Sequence, residues 1–202
     1  MPYLNRPSPV WAGALSIRSK QTMYSSYYQP LQQALLTFGP VPLVAWEAVA
    51  QRLQVVRCRR DRGMLLGRGR VFFLVEGLLK EEIDDGREVY IQQFVCSGDF
   101  FTAPAPGSGG QLVAIEAATA LALAQQDLYE LNREHPELAS IYEGIIAAIQ
   151  QQLISRIRLL FISKRQRYAA FRQTYPGLAA RLLDKDVMAY LAMSPSYFSR
   201  TK

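Results

Sequence analysis

Apolar side chains near the carboxyl end of the chain follow the spacing of two short helices joined by a tight turn. Leu183, Val187 and Leu191 recur every four residues, which is the pattern of an amphipathic helix. Ser194-Pro195 then offers an N-cap and a first helical position for a second helix. These residues predict a helix, a turn and a second helix over residues 182–202.

The second of these helices is polar and basic around one apolar residue, Phe198. A helix, a turn and a polar helix form the arrangement that places the second helix in the major groove of DNA. An αα-hairpin that packs on a larger domain is the alternative that the pattern alone leaves open. The residues expected to contact DNA are Ser194, Ser196, Tyr197, Ser199, Arg200 and Lys202.

Charge is distributed unevenly along the chain, and this favours DNA binding. Between Ile154 and Lys202 there are ten Lys and Arg against Asp184 and Asp186, so this segment carries +8 although the whole chain carries +6. Residues 1–153 therefore carry −2. A basic segment joined to a nearly neutral body is typical of proteins that contact phosphates.

The central part of the sequence has the alternation of short β-strands. Asp85-Gly86 is a hairpin-turn signal between two alternating runs, and Glu76-Gly77 is expected to end the strand before them. Short strands with hairpin turns indicate an antiparallel barrel or jelly roll. The predicted strands are 71–75, 78–83, 89–94, 112–115 and 121–124, the last of which could equally be helical.

Helical periodicity precedes and follows these strands. Two helices are predicted at 31–38 and 42–53, and the stripe Leu43, Trp46, Val49, Ala50 and Leu53 is expected to pack on the sheet. Residues 1–26 carry three prolines and form an irregular arm, either wrapped on a partner or poorly ordered.

A longer helix is predicted over residues 137–163, after His135-Pro136. Its apolar residues repeat at alternating intervals of four and three, which is heptad spacing, and Arg156 interrupts them. This stripe can form the seam of a homodimer, which we favour, or pack on the protein's own barrel. The expected interface residues are Tyr142, Ile146, Ile149, Leu153 and Leu160.

Composition excludes several classes of protein. No apolar run approaches the roughly 20 residues that span a bilayer, and the first residues lack the pattern of a signal peptide, so a cytoplasmic protein is expected. Two cysteines are too few for an iron–sulfur cluster, and the single histidine, His135, is a poor haem ligand beside a proline. No cofactor, metal site or catalytic residue is predicted, and an enzyme is not expected.

Three stretches resemble the Crp/Fnr family of bacterial transcription regulators: VFFLVEGLLK, DDGREVYIQQFVCSGDFF and RYAAFRQTYPGLAARLLDKDVMAYLAMSPSYFSR. The resemblance spans about Leu31 to Lys202. It implies an α+β protein with a cyclic-nucleotide-binding-type jelly-roll barrel, a dimerising helix and a small helix-turn-helix domain. The domains expected are an arm at 1–26, the sensor barrel at 27–134, the dimerisation helix at 135–163 and the DNA-binding domain at 164–202.

The sequence departs from that family at the sites of ligand and DNA. Residues 100–115 (FFTAPAPGSGGQLVAI) contain no charge, and Gln111 and Leu112 stand where the resemblance places an arginine and a serine for a cyclic phosphate. A buried monoanion without a cation is unfavourable, so cyclic AMP is not the expected ligand. An uncharged effector, or none, is expected at Phe100, Phe101, Thr102, Gln111, Leu112 and Val113.

Two features near the end of the sequence leave a second function open. Ala192 stands in the turn where the family usually carries a glycine in a left-handed conformation, and Lys202 leaves the second helix short. The first hypothesis is a homodimeric regulator that binds double-stranded DNA. The alternative is a sensor or scaffold barrel that acts through protein contacts and has a vestigial DNA-binding end.

Overall fold

The computed structural model describes residues 26–202, apart from residues 66 and 68. The predicted arm at 1–26 therefore lies almost wholly outside the described residues. The described elements, in chain order, are α1 (residues 26–36), α2 (Leu43–Arg52), β1 (Gln54–Cys58), β2 (Arg70–Asp84), β3 (Val89–Cys96), β4 (Phe100–Thr102), β5 (Gly110–Ala124), α3 (Gln125–Glu134), a 3-10 turn (Pro136–Leu138), α4 (Ala139–Phe161), α5 (Lys164–Thr174), α6 (Pro176–Ala179), α7 (Asp184–Leu191) and α8 (Pro195–Thr201).

The strands form one antiparallel sheet in the order β1–β5–β2–β3, with β4 paired to the start of β2. The predicted hairpin is present, because Asp84 pairs with Val89 across the Asp85-Gly86 turn. An α+β protein with an antiparallel sheet, a long helix and a helical carboxyl end is thus confirmed. The helices predicted at 31–38 and 42–53 are α1 and α2.

Two strand predictions were wrong in their boundaries. Glu76-Gly77 does not end a strand, because β2 continues through it with irregular pairing on both sides. Gly77 has φ +101, and a Cβ there would collide with the backbone of Ala117 and Ala118. Only glycine fits such a position, so this glycine bends the strand without ending it. The strands predicted at 112–115 and 121–124 are likewise one strand, β5.

Helices cover one face of the sheet, which we call the helix-covered face. Phe73, Phe100 and Leu121 point from the sheet to this side and pack on α1 to α4. In α2 the residues buried there are Ala45 and Val49, whereas Leu43 of the predicted stripe is 69% exposed.

The side chains on the opposite face of the sheet pack against one another. We call this cluster of buried residues the strand-only core. Phe72 and Phe101 stack there with ring centroids 5.2 Å apart. Its buried members come from strands and Met64, and alternate alanines of β5 (Ala114, Ala118, Ala120, Ala122) fill its middle. No helix of the described residues contributes a buried side chain, so the sheet curls around this core.

A third cluster joins the far edge of the sheet to the carboxyl-terminal helices. Phe94 of β3 lies 4.9 Å from the ring of Tyr190 in α7, and Phe171 of α5 is fully buried beside them. The end of α4 enters the same cluster through Leu159. The helical carboxyl end is therefore packed on the sheet and on α4. In the described part of the chain, no helix has the length and apolarity that a bilayer span requires.

Candidate nucleic-acid interface and sensor interior

The carboxyl-terminal helix pair has the geometry that the sequence predicts. Residues 192–194 separate α7 from α8, and Val187, Leu191 and Phe198 are buried between the two helices and α5. Ser194 is the N-cap of α8 and Pro195 is its first residue, as expected. Leu183, the first member of the predicted apolar face, is instead 57% exposed.

Ala192 ends α7 in a left-handed conformation, with φ 51° and ψ 53°, which is the conformation that the resemblance associates with a glycine at this turn. Its N–H donates to the carbonyl of Met188, as does the N–H of Met193. A Cβ in this conformation lies too close to the backbone, at a free-energy cost of about 1–2 kcal/mol. The turn is thus left-handed although alanine is less favourable than glycine in this conformation.

We expect Ala192→Gly to raise the free energy of unfolding by about 0.5–1 kcal/mol. Relief of the left-handed strain outweighs the greater freedom of glycine in the unfolded chain. Ala180 is an exposed control with right-handed φ −75°, and Ala180→Gly should lower the free energy of unfolding. Urea denaturation measures both, and a less stable Ala192→Gly protein contradicts the assignment.

Most of the predicted DNA-contacting side chains lie at the surface of α8. The Arg200 guanidinium lies 5.7 Å from the ring of half-buried Tyr197, and its Nε donates to the Ser196 carbonyl. The Lys202 ammonium instead forms an ion pair with Asp184 at 2.6 Å. The exposed members are Ser194, Ser196, Ser199, Arg200 and Lys202.

Only part of the basic segment is available to a polyanion. Arg156 and Arg167 donate to backbone carbonyls, and Arg181 forms a two-point ion pair with Glu116. The +8 of the sequence therefore overstates the positive surface. The exposed cations without an ion pair to a described residue are Arg158, Lys164, Arg165, Arg172, Lys185 and Arg200.

Arg167, in the first turn of α5, holds the carboxyl ends of α4 and α7 together. Its guanidinium donates to the carbonyls of Leu160 and Ile162 at the end of α4, and to that of Leu191 at the end of α7. Arg156, from the last turns of α4, adds a hydrogen bond to the carbonyl of Tyr190. The sequence shows these residues only as positive charges, so their structural role was missed.

A buried ion pair fixes α7 to the sheet. The Lys80 ammonium lies 2.8 Å from Asp186 and 2.6 Å from Glu82, and all three groups are largely shielded from water. Burial lowers the pKa of Lys80, but the hydrogen bonds and charges of Asp186 and Glu82 raise it further, so that the net shift is upward. Asp186 thus anchors α7 to β2.

The predicted effector residues do not line one common cavity. Phe101 and Leu112 lie in the strand-only core, whereas Phe100 points to the helix-covered face. Thr102 and Gln111 are exposed, and Val113 is half-buried. Side chains along a strand alternate between its two faces, which places Phe100 and Phe101 on opposite sides of the sheet.

The interior beside these residues is unsuited to an anion. Glu81 is 5% exposed, pairs in register with Leu112 and accepts a 2.7 Å hydrogen bond from Gln93. Burial raises the pKa of Glu81 although this hydrogen bond lowers it. A carboxyl group here is uncharged or repels a phosphate, and no described cation is paired with it.

Two cavities lie on the other side of the sheet, near α4. The first has a volume of about 70 Å³, is almost entirely apolar, and is lined by Phe100, Leu121 and Ile145 among others. The second is an open groove of about 340 Å³ between the loop after β4 and α4, with Thr102 and Ile146 in its wall. Phe100 and Thr102 are thus the effector candidates that border a cavity.

The groups considered for metal or redox chemistry are dispersed. His135 lies 3.4 Å from Glu137, and the part of the chain that the structure describes holds no cluster of three metal-ligating side chains. Cys58 and Cys96 are both free thiols. Burial, and then the charge of Asp99, raises the pKa of Cys96 to about 11, so this thiol is protonated at neutral pH.

Helix α4 carries apolar side chains on two faces. Ile141, Ile145 and Leu159 are buried within the chain. A second set, which we call the α4 stripe, faces solvent: Ile146, Ile154, Ile157 and Phe161, with exposures of 38% to 86%.

The α4 stripe only partly coincides with the predicted seam. Ile146 belongs to both, whereas Tyr142, Ile149, Leu153 and Leu160 are half-buried beside it. Arg156 does not interrupt the stripe as expected. Its side chain points into the protein, where Nε donates a hydrogen bond to the carbonyl of Tyr190.

Solved structures with the same architecture are found over most of the chain. FixK2 from Bradyrhizobium japonicum matches with a TM-score of 0.61 at 17% identity, over 74% of this chain and 82% of that one. A CooA variant from Carboxydothermus hydrogenoformans matches at 0.60 and 16% identity, over 76% of both chains. A protein from Eubacterium rectale assigned to the Crp/Fnr family of transcriptional regulators matches at 0.58 and 10% identity, over 79% and 81%.

The chain has the Crp/Fnr fold. No family model matches the sequence, and no curated protein does. At identities of 10–17% these matches show a common fold. Within this fold the strand-only core holds the stacked rings of Phe72 and Phe101 and the buried alanines of β5.

Proposed function

We propose that this protein is a homodimeric, DNA-binding transcription regulator of the Crp/Fnr type. The observation that carries this proposal is the helix-turn-helix pair α7 and α8, whose polar residues Ser196, Ser199 and Arg200 face solvent. An exposed polar helix after a tight turn has the shape that enters the major groove. The Crp/Fnr fold supports the same function, which would be exercised in the cytoplasm and without catalysis.

The homodimer is proposed to form along α4. Ile146, Ile154, Ile157 and Phe161 lie within about a quarter of the helix circumference, since successive residues turn by about 100°. Exposed apolar side chains in one line mark an interaction surface. A twofold axis through this stripe pairs it with the same stripe of a second copy. Tyr142, Ile149, Leu153 and Leu160 would border that contact.

The sensor part, residues 27–134, is proposed to be a jelly roll that does not bind cyclic AMP. The carboxyl group of Glu81 and the rings of Phe72 and Phe101 occupy the interior where an anion would need a cation. An effector, if bound, is uncharged and sits in the cavities against α4 that Phe100 and Thr102 border.

Arg200→Ala is expected to weaken binding to a specific duplex by about 1–3 kcal/mol, or roughly five- to 150-fold, because a guanidinium that reads a base edge contributes that much. The measurement is fluorescence anisotropy with duplexes from the region upstream of the protein's own coding sequence. Arg133→Ala, on exposed α3, serves as the control and should leave the affinity unchanged.

Equal affinity of the wild-type and Arg200→Ala proteins for every duplex would remove Arg200 from the interface. Absence of any duplex binding by the wild-type protein at low salt would favour the alternative, a sensor or scaffold with a vestigial DNA-binding end. One observation is in keeping with that alternative: the Lys202 ammonium is paired with Asp184 and is therefore less available to a phosphate.

A further inference from the structure

A second basic surface lies outside the helix-turn-helix pair, at the end of β1 and in the turn that follows. It consists of Arg57, Arg59, Arg60 and Arg62, which we call the arginine turn. All four side chains are exposed, and the only acidic residue among them is Asp61, 3.5 Å from Arg60. Arg59 and Arg62 form no ion pair with any described residue.

The backbone fixes this turn in place. Asp61 donates to the carbonyl of Ala114 at 2.7 Å, and Ala114 donates back to the carbonyl of Arg62 at 3.0 Å. Gly63 bridges to Val113. The turn is therefore held beside β5, and its guanidinium groups extend from a rigid base.

The arginine turn is next to the carboxyl-terminal domain, and Glu116 of β5 connects the two. Arg181, which precedes α7, binds this carboxylate at 2.6 and 2.9 Å. The hydrogen bonds and charge of Arg181, and then the charge of Arg60, hold the pKa of Glu116 below its usual value. Glu116 thus lies on the strand that holds the arginine turn through Ala114, and it binds Arg181 just before the helix-turn-helix pair, so the turn and this pair are near one another.

The composition of this surface fits a phosphate backbone better than a protein. Interfaces between proteins have an apolar centre, whereas Leu65 is the only large exposed apolar side chain within ten described residues of the turn. Guanidinium groups match phosphate oxygens in geometry as well as charge.

We propose that the arginine turn binds the phosphates of duplex DNA that flanks the operator. The inference rests on the proposed function, because it assigns to the sensor sheet a part of the same DNA contact. In this arrangement α8 reads the core site, and the flanking duplex passes the arginine turn, where Arg59 and Arg62 have no ion pair to a described residue. Such contacts carry no sequence information and add affinity that depends on salt.

The test compares the wild-type protein with Arg59→Gln/Arg62→Gln on a 20-bp operator duplex and on a 60-bp duplex with the same operator at its centre. The double substitution removes four charges from a dimer, and each phosphate contact contributes about 0.9 to the slope of log affinity against log salt. We expect a slope smaller by about 2–4 and an affinity at least tenfold weaker on the 60-bp duplex, with less than a twofold change on the 20-bp duplex.

Two further variants exclude trivial explanations. Arg52→Gln/Arg133→Gln removes the same charge from α2 and α3, and it should leave the affinity for both duplexes within twofold. Arg59→Lys/Arg62→Lys keeps the charge, and it should retain most of the salt slope. Thermal unfolding of each variant shows whether the fold is intact.

Several results would overturn the proposal. One is an unchanged affinity of Arg59→Gln/Arg62→Gln for the 60-bp duplex, and another is an equal loss on both duplexes. Unchanged DNA binding together with lost binding of polyglutamate would assign the surface to an acidic protein instead. If the wild-type protein binds the 20-bp duplex, the proposed function stands whatever the arginine turn does; if it binds neither duplex, both fail.

Discussion

Ile157→Asp is expected to convert the proposed dimer to a monomer at micromolar concentration. Ile157 is 50% exposed in the middle of the α4 stripe, so within one protomer the substitution meets water and has little effect on stability. In a twofold interface each copy would bury an unpaired carboxylate, so the unfavourable free energy counts twice in the dimer. A cost of about 2 kcal/mol for each copy raises the dissociation constant by roughly 1,000-fold.

Sedimentation equilibrium of the two proteins measures this change directly. Gln151→Asp is a matched control, because Gln151 is an exposed residue on another face of the same helix. The control should remain dimeric. A monomeric wild-type protein, or a dimer that survives Ile157→Asp, would show that α4 does not form the interface.

Lys80→Ala is expected to lower the free energy of unfolding by about 3–5 kcal/mol, since it leaves the carboxylates of Asp186 and Glu82 buried without their cation. The same ion pair makes stability depend on pH. Because the folded pKa of Lys80 is raised, its contribution is complete below pH 10.5 and is lost as the pH rises through the folded pKa. Urea denaturation at pH 7 and in alkaline buffers measures both effects.

An exposed ion pair supplies the control for this experiment. Arg52 and Glu134 lie 3.1 Å apart but are 26% and 44% exposed, so Arg52→Ala should cost about 1 kcal/mol or less. The double substitution Lys80→Met/Asp186→Leu should recover most of the loss, because apolar side chains can replace a buried pair. A loss as small for Lys80→Ala as for Arg52→Ala would mean that the ion pair does not anchor α7.

Helix α4 shows what periodicity predicts and what it leaves undetermined. The length of the helix and its apolar character follow from its sequence, and both were confirmed. However, α4 has an inner face with Ile141, Ile145 and Leu159 and an outer stripe with Ile157 and Phe161. The residues selected by heptad spacing lie between these two faces. Spacing alone does not distinguish a side chain that packs within the chain from one that faces outward.

The sequence shows the positive charge at the carboxyl end, but it does not show which oxygen atoms the arginine side chains bind. Arg156, Arg167 and Arg181 each bind oxygen atoms that lie far away in sequence or belong to the backbone. A sequence read locally shows a cation without its acceptor. The anchoring of Asp186 by Lys80 was missed for the same reason, since 106 residues separate the two.

The strand boundaries illustrate a different limit. Glu76-Gly77 looked like the end of a strand because glycine normally weakens a strand interior. In the fold this glycine permits a close approach of β2 to Ala117 in β5, which local propensity does not register. Ala192 is a different case, because the resemblance associates this turn with a left-handed glycine and the backbone keeps that conformation although the residue is alanine.

The three hydrogen bonds of Arg167 have a mechanical consequence. The last carbonyls of α4 and α7 share one planar guanidinium, so these helices cannot move apart without stranding N–H groups in a half-buried place. A displacement of the carboxyl end of α4 would therefore move α7 with it as a rigid body, with little relative motion between the two helices at Arg167.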